Sequence, residues 1–111
     1  MAAVRFDSMR TVAHGAITNA YLALGAALTQ NWRMFKITNN TDGDMLFSFD
    51  GTTNNLFVPA DSFVLYDCGT NAPNISNLDS FVMQIGTQFY IKYSTAPTSG
   101  DVWIEGLYAR N

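Results

Sequence analysis

His14 is the chain's only histidine and Cys68 its only cysteine, so the side chains most used as base, nucleophile and soft metal ligand each occur once. Nucleophilic catalysis needs a nucleophile, a base and an orienting group. His14 stands beside Gly15 near a strand end, and no serine or cysteine sits in a recognisable elbow. A single cysteine removes any intrachain disulfide and any thiolate-based zinc cluster, which leaves Cys68 as a small half-buried thiol. Carboxylate catalysis needs two acids in one cleft, whereas nearly all of the eight Asp and Glu105 fall in turns or at strand ends. The expectation is a protein that is not an enzyme, binds no metal and uses no cofactor.

Oxygen ligands are the remaining route to a cation. Asn39-Asn40-Thr41-Asp42-Gly43-Asp44 looks like a fragment of a calcium loop, but it lacks the terminal bidentate Glu and the full spacing. A turn whose Asn and Asp side chains bond the backbone is the better reading. Asn39-Asn40-Thr41 and Asn74-Ile75-Ser76 match the glycosylation pattern, and without a secretory signal at the N-terminus both are taken as chance.

The net charge is −3, and the six basic residues, Arg5, Arg10, Arg33, Lys36, Lys92 and Arg110, are scattered. Nucleic-acid binding draws on a basic stripe that releases counterions, and the sequence has none. The longest uncharged stretch, 11–32, is broken by His14, Thr18, Asn19, Thr29, Gln30 and Asn31 and makes a poor membrane span. No nucleic-acid or membrane partner is therefore expected.

What could position these residues is a set of short strands. At 111 residues the chain has room for one domain. Turn signals recur at 39–44, 50–55, 59–62, 68–77, 86–87 and 96–101, and between them lie short runs rich in aromatic and β-branched residues. The reading is an all-β, single β-sandwich domain over 1–111, jelly-roll-like, with about eight short antiparallel strands and an N-terminal arm over 1–6. Strands are expected over 10–17, 32–38, 45–49, 56–58, 63–66, 81–85, 89–94 and 102–109. Ile17, Tyr21, Leu24 and Leu28 have helical spacing, so 16–30 reads either as a helix or, preferentially, as a strand around 21–24 followed by a loop.

Strand parity suggests two pairings. If 32–38 and 45–49 form a hairpin, an odd-numbered loop over 40–44 sets Ile37 opposite Phe47 and Phe35 opposite Phe49, so Asp42-Gly43 is not a simple two-residue turn. Pairing 88–94 with 102–109 sets Lys92 opposite Glu105, Tyr90 opposite Leu107 and Tyr93 opposite Ile104, giving a core face and an ion pair in one register. Phe35, Phe47, Phe49, Phe63, Phe89 and Tyr93 are expected in the core. Trp32, Tyr90 and Trp103 fall on the opposite parity and are expected outside, where protein contact is a stronger reading than stacking of nucleic acid. Tyr90, Trp103 and Leu107 form the expected partner patch, together with an arm containing Met1, Ala2, Ala3, Val4 and Arg5.

The segments Phe35-Lys36-Ile37-Thr38-Asn39-Asn40-Thr41-Asp42, Phe47-Ser48-Phe49-Asp50-Gly51 and Phe57-Val58-Pro59-Ala60-Asp61-Ser62-Phe63-Val64-Leu65-Tyr66-Asp67 resemble small virion structural proteins of tailed bacteriophages. Ile91-Lys92-Tyr93-Ser94-Thr95-Ala96-Pro97-Thr98-Ser99-Gly100 and Arg5-Phe6-Asp7-Ser8 are similar to them too. The resemblance implies a β-sandwich made in the host cytoplasm and attached to the virion, either as a capsid cement or decoration protein on the major capsid protein or as a head-to-tail connector or tail accessory. A homo-oligomer or lattice component is expected separately, because the edge strands of so small a sandwich must be covered and its charge is too sparse to blunt them. The resemblance supplies no functional residues. The Asn-rich 71–77 stretch stands outside it as a candidate partner-reading loop. A carbohydrate-binding sandwich is the further alternative, if Trp32 and Trp103 form an exposed platform.

Overall fold

The computed structural model describes residues 3–68 and 82–110, side chains excepted at positions 3, 109 and 110. The strands are β1 (Ala3–Phe6), β2 (Arg10–Ala13), β3 (Leu22–Ala23), β4 (Trp32–Thr41), β5 (Met45–Ser48), β6 (Leu56–Val58), β7 (Ser62–Asp67), β8 (Tyr90–Tyr93) and β9 (Gly100–Arg110). A 3-10 turn, His14–Ala16, ends the strand expected to run to residue 17. One antiparallel sheet runs β1-β9-β4-β7, with β2 also pairing β9; the other runs β3-β8-β5-β6. The two sheets pack as a β-sandwich.

Alternation builds the core. Phe35, Ile37, Val102 and Ile104 point inward from the first sheet, and Met45, Phe47, Val58 and Ile91 from the second. Ile17, Leu24 and Leu28 join them from the connection between β2 and β4, so their spacing marks burial without marking a helix. The backbone of that connection bonds sideways: Leu24 N–H donates to Phe89 O, Leu28 N–H to Thr87 O, and Gly86 N–H to Leu28 O. These tertiary bonds satisfy the groups that a helix would have paired internally.

Both expected hairpins are absent. β4 and β5 lie in different sheets: Ile37 pairs with Ile104 and Val64, Phe35 with Gly106 and Tyr66, and Phe47 with Leu56 and Ile91. β8 and β9 are likewise separated, so Lys92 lies opposite Leu46 and over the Tyr21 ring, while Glu105 lies opposite Lys36. Each connection crosses from one sheet to the other, which keeps inward residues inward but changes every strand partner. Around 81–85 the described residues show only the bridge Trp32↔Met83. Residues 3–6 of the expected arm are tied along β9 as β1.

The crossing after β4 is set by Asn39, fully buried at an inward position. Its Nδ2 donates to the carbonyls of Gly43, Val58 and Pro59 at 2.8, 3.1 and 3.1 Å. Its Oδ1 accepts from Thr41 N–H at 3.1 Å and from Thr41 Oγ1 at 2.6 Å. Gly43 is required there because a Cβ would strike the backbone of Thr95 and Pro97. Asp44 Oδ1 accepts from Ala60 N–H, and Asp42 accepts from Thr98 N–H and Oγ1. The calcium-like segment is thus a crossing whose side-chain oxygens bond protein donors.

After β5, Asp50 organises its own turn. Its carboxylate accepts from the N–H groups of Thr52 and Thr53 and from Thr53 Oγ1 and Ser48 Oγ, which holds its pKa well below the usual carboxylate range.

Asn39→Ala is expected to cost about 2–4 kcal/mol, because several buried carbonyls and the Thr41 hydroxyl lose their partner together; urea titration checks it. For Asp50, the depressed folded value means that its stabilisation is present above the ordinary carboxylate pKa of about 3.9 and drains as pH falls through the folded value. The melting-temperature gap between wild type and Asp50→Ala should therefore be constant above about pH 5 and narrow below about pH 4. A gap that persists unchanged into acid would contradict it.

Candidate functional site

The two longest strands, β4 and β9, are neighbours in the five-stranded sheet, and their outward positions pair across it. Met34 lies opposite Leu107, Lys36 opposite Glu105 and Thr38 opposite Trp103. On the β7 side Leu65 continues the Lys36 row and Phe63 the Thr38 row; on the β1 side Phe6 continues the Leu107 row. Residues paired in register share a face, so these side chains form one surface with Lys36 and Glu105 at its centre. Phe63 is 60% exposed, Leu65 56% and Phe6 81%. A monomer gains nothing from leaving so many large apolar side chains exposed on one face.

The surface has relief. A cleft of about 160 Å³ lies between Phe6 and Leu65 with Met34, Lys36, Glu105 and Leu107 lining it. A broader recess follows it along the strands, bounded by Met9, Lys36, Thr38, Trp103 and Glu105. The Lys36 ammonium sits 4.7 Å from the Phe63 ring centre instead of on Glu105. Trp103 donates its Nε1 hydrogen to Asp101 Oδ1 at 2.9 Å, so its one polar group is satisfied and its ring belongs to the face.

Only part of the expected patch is brought together. Trp103 and Leu107 share this face, whereas Tyr90 lies in the other sheet, opposite Ser48 and Ala23 and against Gly51. Trp32 is fully buried, contrary to expectation. A β-bulge between Trp32 and Met34 takes up one residue, so Trp32 turns inward with Phe35 despite their odd spacing. Its ring packs on Gly106, where a Cβ would collide with it, lies 4.9 Å from the Arg10 guanidinium carbon, and donates from Nε1 to Asp7 Oδ2 at 2.8 Å. The two-tryptophan platform required by the carbohydrate alternative is therefore not formed. Val4 and Arg5 are exposed on β1, Ala3 is described only as β1 backbone, and Met1, Ala2 and the 71–77 stretch lie outside the described residues.

Phe63, expected in the core, is instead on the exposed face, and Leu65, Met34, Phe6 and Met9 were not foreseen there. The available signal was the unbroken run Phe63-Val64-Leu65-Tyr66, which puts apolar side chains on both faces of one strand.

The reactive side chains lie elsewhere. His14 Nδ1 is 3.1 Å from Gly100 O. Burial pushes the Cys68 thiol up, with the Asp67 charge adding to it, the direction opposite to that of an activated nucleophile. Among the described residues no group of three or more His, Cys, Asp or Glu side chains could hold a metal ion.

Comparison with protein-family models, with curated proteins and with solved structures finds no match to this chain.

The two tryptophans should separate cleanly in dilute solution. Trp32→Ala is expected to cost about 3–5 kcal/mol or abolish folding, since it empties the contact with Gly106 and strands Asp7. Trp103→Ala should change stability by no more than about 1 kcal/mol. Denaturant unfolding of both variants at low micromolar concentration measures the difference.

Proposed function

We propose that the chain is a structural component of a tailed-bacteriophage virion, a capsid cement or decoration protein that binds the major capsid protein. The observation that carries the reading is the exposed apolar outer face of the β1-β9-β4-β7 sheet, a surface suited to burial against protein. Assembly of this kind is performed by buried area and needs no reactive group.

The strand order adds support. Among the described residues β1 and β2, taken as one strand interrupted at 7–9, leave eight strands in two four-stranded sheets, an order that supports a jelly-roll reading, the architecture used by viral capsid domains and by lectins. The residue resemblance to phage virion proteins is independent of that order. Fold alone does not decide function, so the face and not the architecture is the element to test.

A head-to-tail connector or tail accessory protein would use the same kind of surface, and copy number distinguishes the two positions. Quantifying the protein per particle should give hundreds for a capsid cement; about 3 to 12 copies would move it to the tail or a vertex. Trp103→Ala should weaken attachment to particles while the variant stays folded. Unchanged attachment would remove the face from the contact.

A further inference from the structure

We infer that, in the protein not attached to a particle, the outer face of the five-stranded sheet is covered by the same face of a second copy of this chain, related by a two-fold axis running along the strands between β4 and β9, a contact that binding to another protein would replace. The inference takes from the preceding reading only that this face is a protein contact. Its test needs no particle, so the two can fail separately.

Charge placement selects the occupant and the axis. Lys36 and Glu105 sit side by side at the centre of the face, one on each strand flanking the midline. Within the chain the pair is not consumed, because Lys36 lies over Phe63 and Glu105 has no ion-pair partner among the described residues. A two-fold axis parallel to the strands exchanges β4 with β9. It sets each Lys36 over Glu105 of the second copy, each Met34 over Leu107, and the Phe63–Leu65 side over the Phe6–Met9 side. An axis across the strands instead brings Lys36 onto Lys36 and Glu105 onto Glu105, which like-charge repulsion disfavours. A contact that closes on itself by a two-fold axis is the ordinary form of homo-oligomeric association.

Size is adequate. Strands of ten and eleven residues span roughly 30 Å, and four strands at about 4.8 Å spacing span roughly 15–20 Å. Two such faces cover on the order of 1,000 Å² even before side-chain relief is counted, the size at which specific interfaces begin.

The experiment is a charge exchange read by sedimentation velocity on the full chain. Wild type should dimerise reversibly at or below about 100 µM. Lys36→Glu and Glu105→Lys, each alone, place like charges across the axis and should raise the dissociation constant at least about 30-fold. An equimolar mixture of the two variants restores both opposite-charge contacts and should form a heterodimer close to wild-type affinity. Circular dichroism identical to wild type shows that each variant is folded. A second measurement needs no variant: zero-length carbodiimide coupling of wild type should give a covalent dimer whose linked peptides join Lys36 to Glu105. A wild type that is monomeric at about 100 µM, single variants that dimerise like wild type, a mixture that stays monomeric, or a covalent dimer linked elsewhere would each overturn the inference.

Discussion

The sandwich depends on a buried amide. Asn39 occupies a position that alternation assigns to the core, and its side chain bonds across the gap to carbonyls at Val58 and Pro59 while holding Gly43 and Thr41. Those partners come from the end of β4, the crossing itself and the end of β6, which belong to different sheets. A polar group without partners would be costly at such a site, so the crossing is fixed by the requirement to satisfy Asn39. Ser94 N–H and Thr95 N–H then bond Asp44 O, and Thr98 and Ser99 N–H bond Asp42, so the connection from β8 to β9 is shaped around the first crossing. One pole of the domain is thus organised by the residues between 39 and 44.

The opposite pole is organised by Trp32. Its indole reaches Asp7, which lies in the break between β1 and β2, and Asp7 N–H in turn donates to Gly106 O. The ring needs Gly106 beneath it and places Arg10 on its other flank. The N-terminal segment is therefore pulled down along β9 in two pieces, and the break between them leaves Met9 exposed beside the outer face. β4 and β9 run between these two hydrogen-bonded poles and carry the centre of the outer face.

How much of this was legible follows from what alternation encodes. It records which side of a strand is buried, and so the inward placement of Ile37, Phe47, Ile91 and Ile104 and the outward placement of Trp103 and Leu107 could be read directly. It does not record which strand lies alongside. A hairpin and a sheet-to-sheet crossing keep the same inward residues and use the same Asp, Asn and Gly, so β4 with β5 and β8 with β9 looked like neighbours. Trp32 was misread because a bulge at Arg33 shifts parity by one without any Gly or Pro to announce it. Phe63 was misread because an aromatic in an alternating strand is core by default, and only the apolar residues on both faces of β7 hinted otherwise.

The same reasoning explains why a charged pair sits in the middle of an apolar face. An all-apolar sheet surface flanked by edge strands invites association in any register. Lys36 and Glu105 lower the attraction of that surface for arbitrary apolar partners, because burying either charge without its opposite is costly. Their positions on adjacent strands make the requirement directional, since a partner must present the opposite order of charge across the midline. The sparse charge of the chain sharpens this: with only fifteen formally charged Lys, Arg, Asp and Glu residues in total, two at the centre of one face are a large share of its means of discrimination. Area then supplies attraction and the pair supplies orientation, the division of labour by which protein surfaces recognise one another.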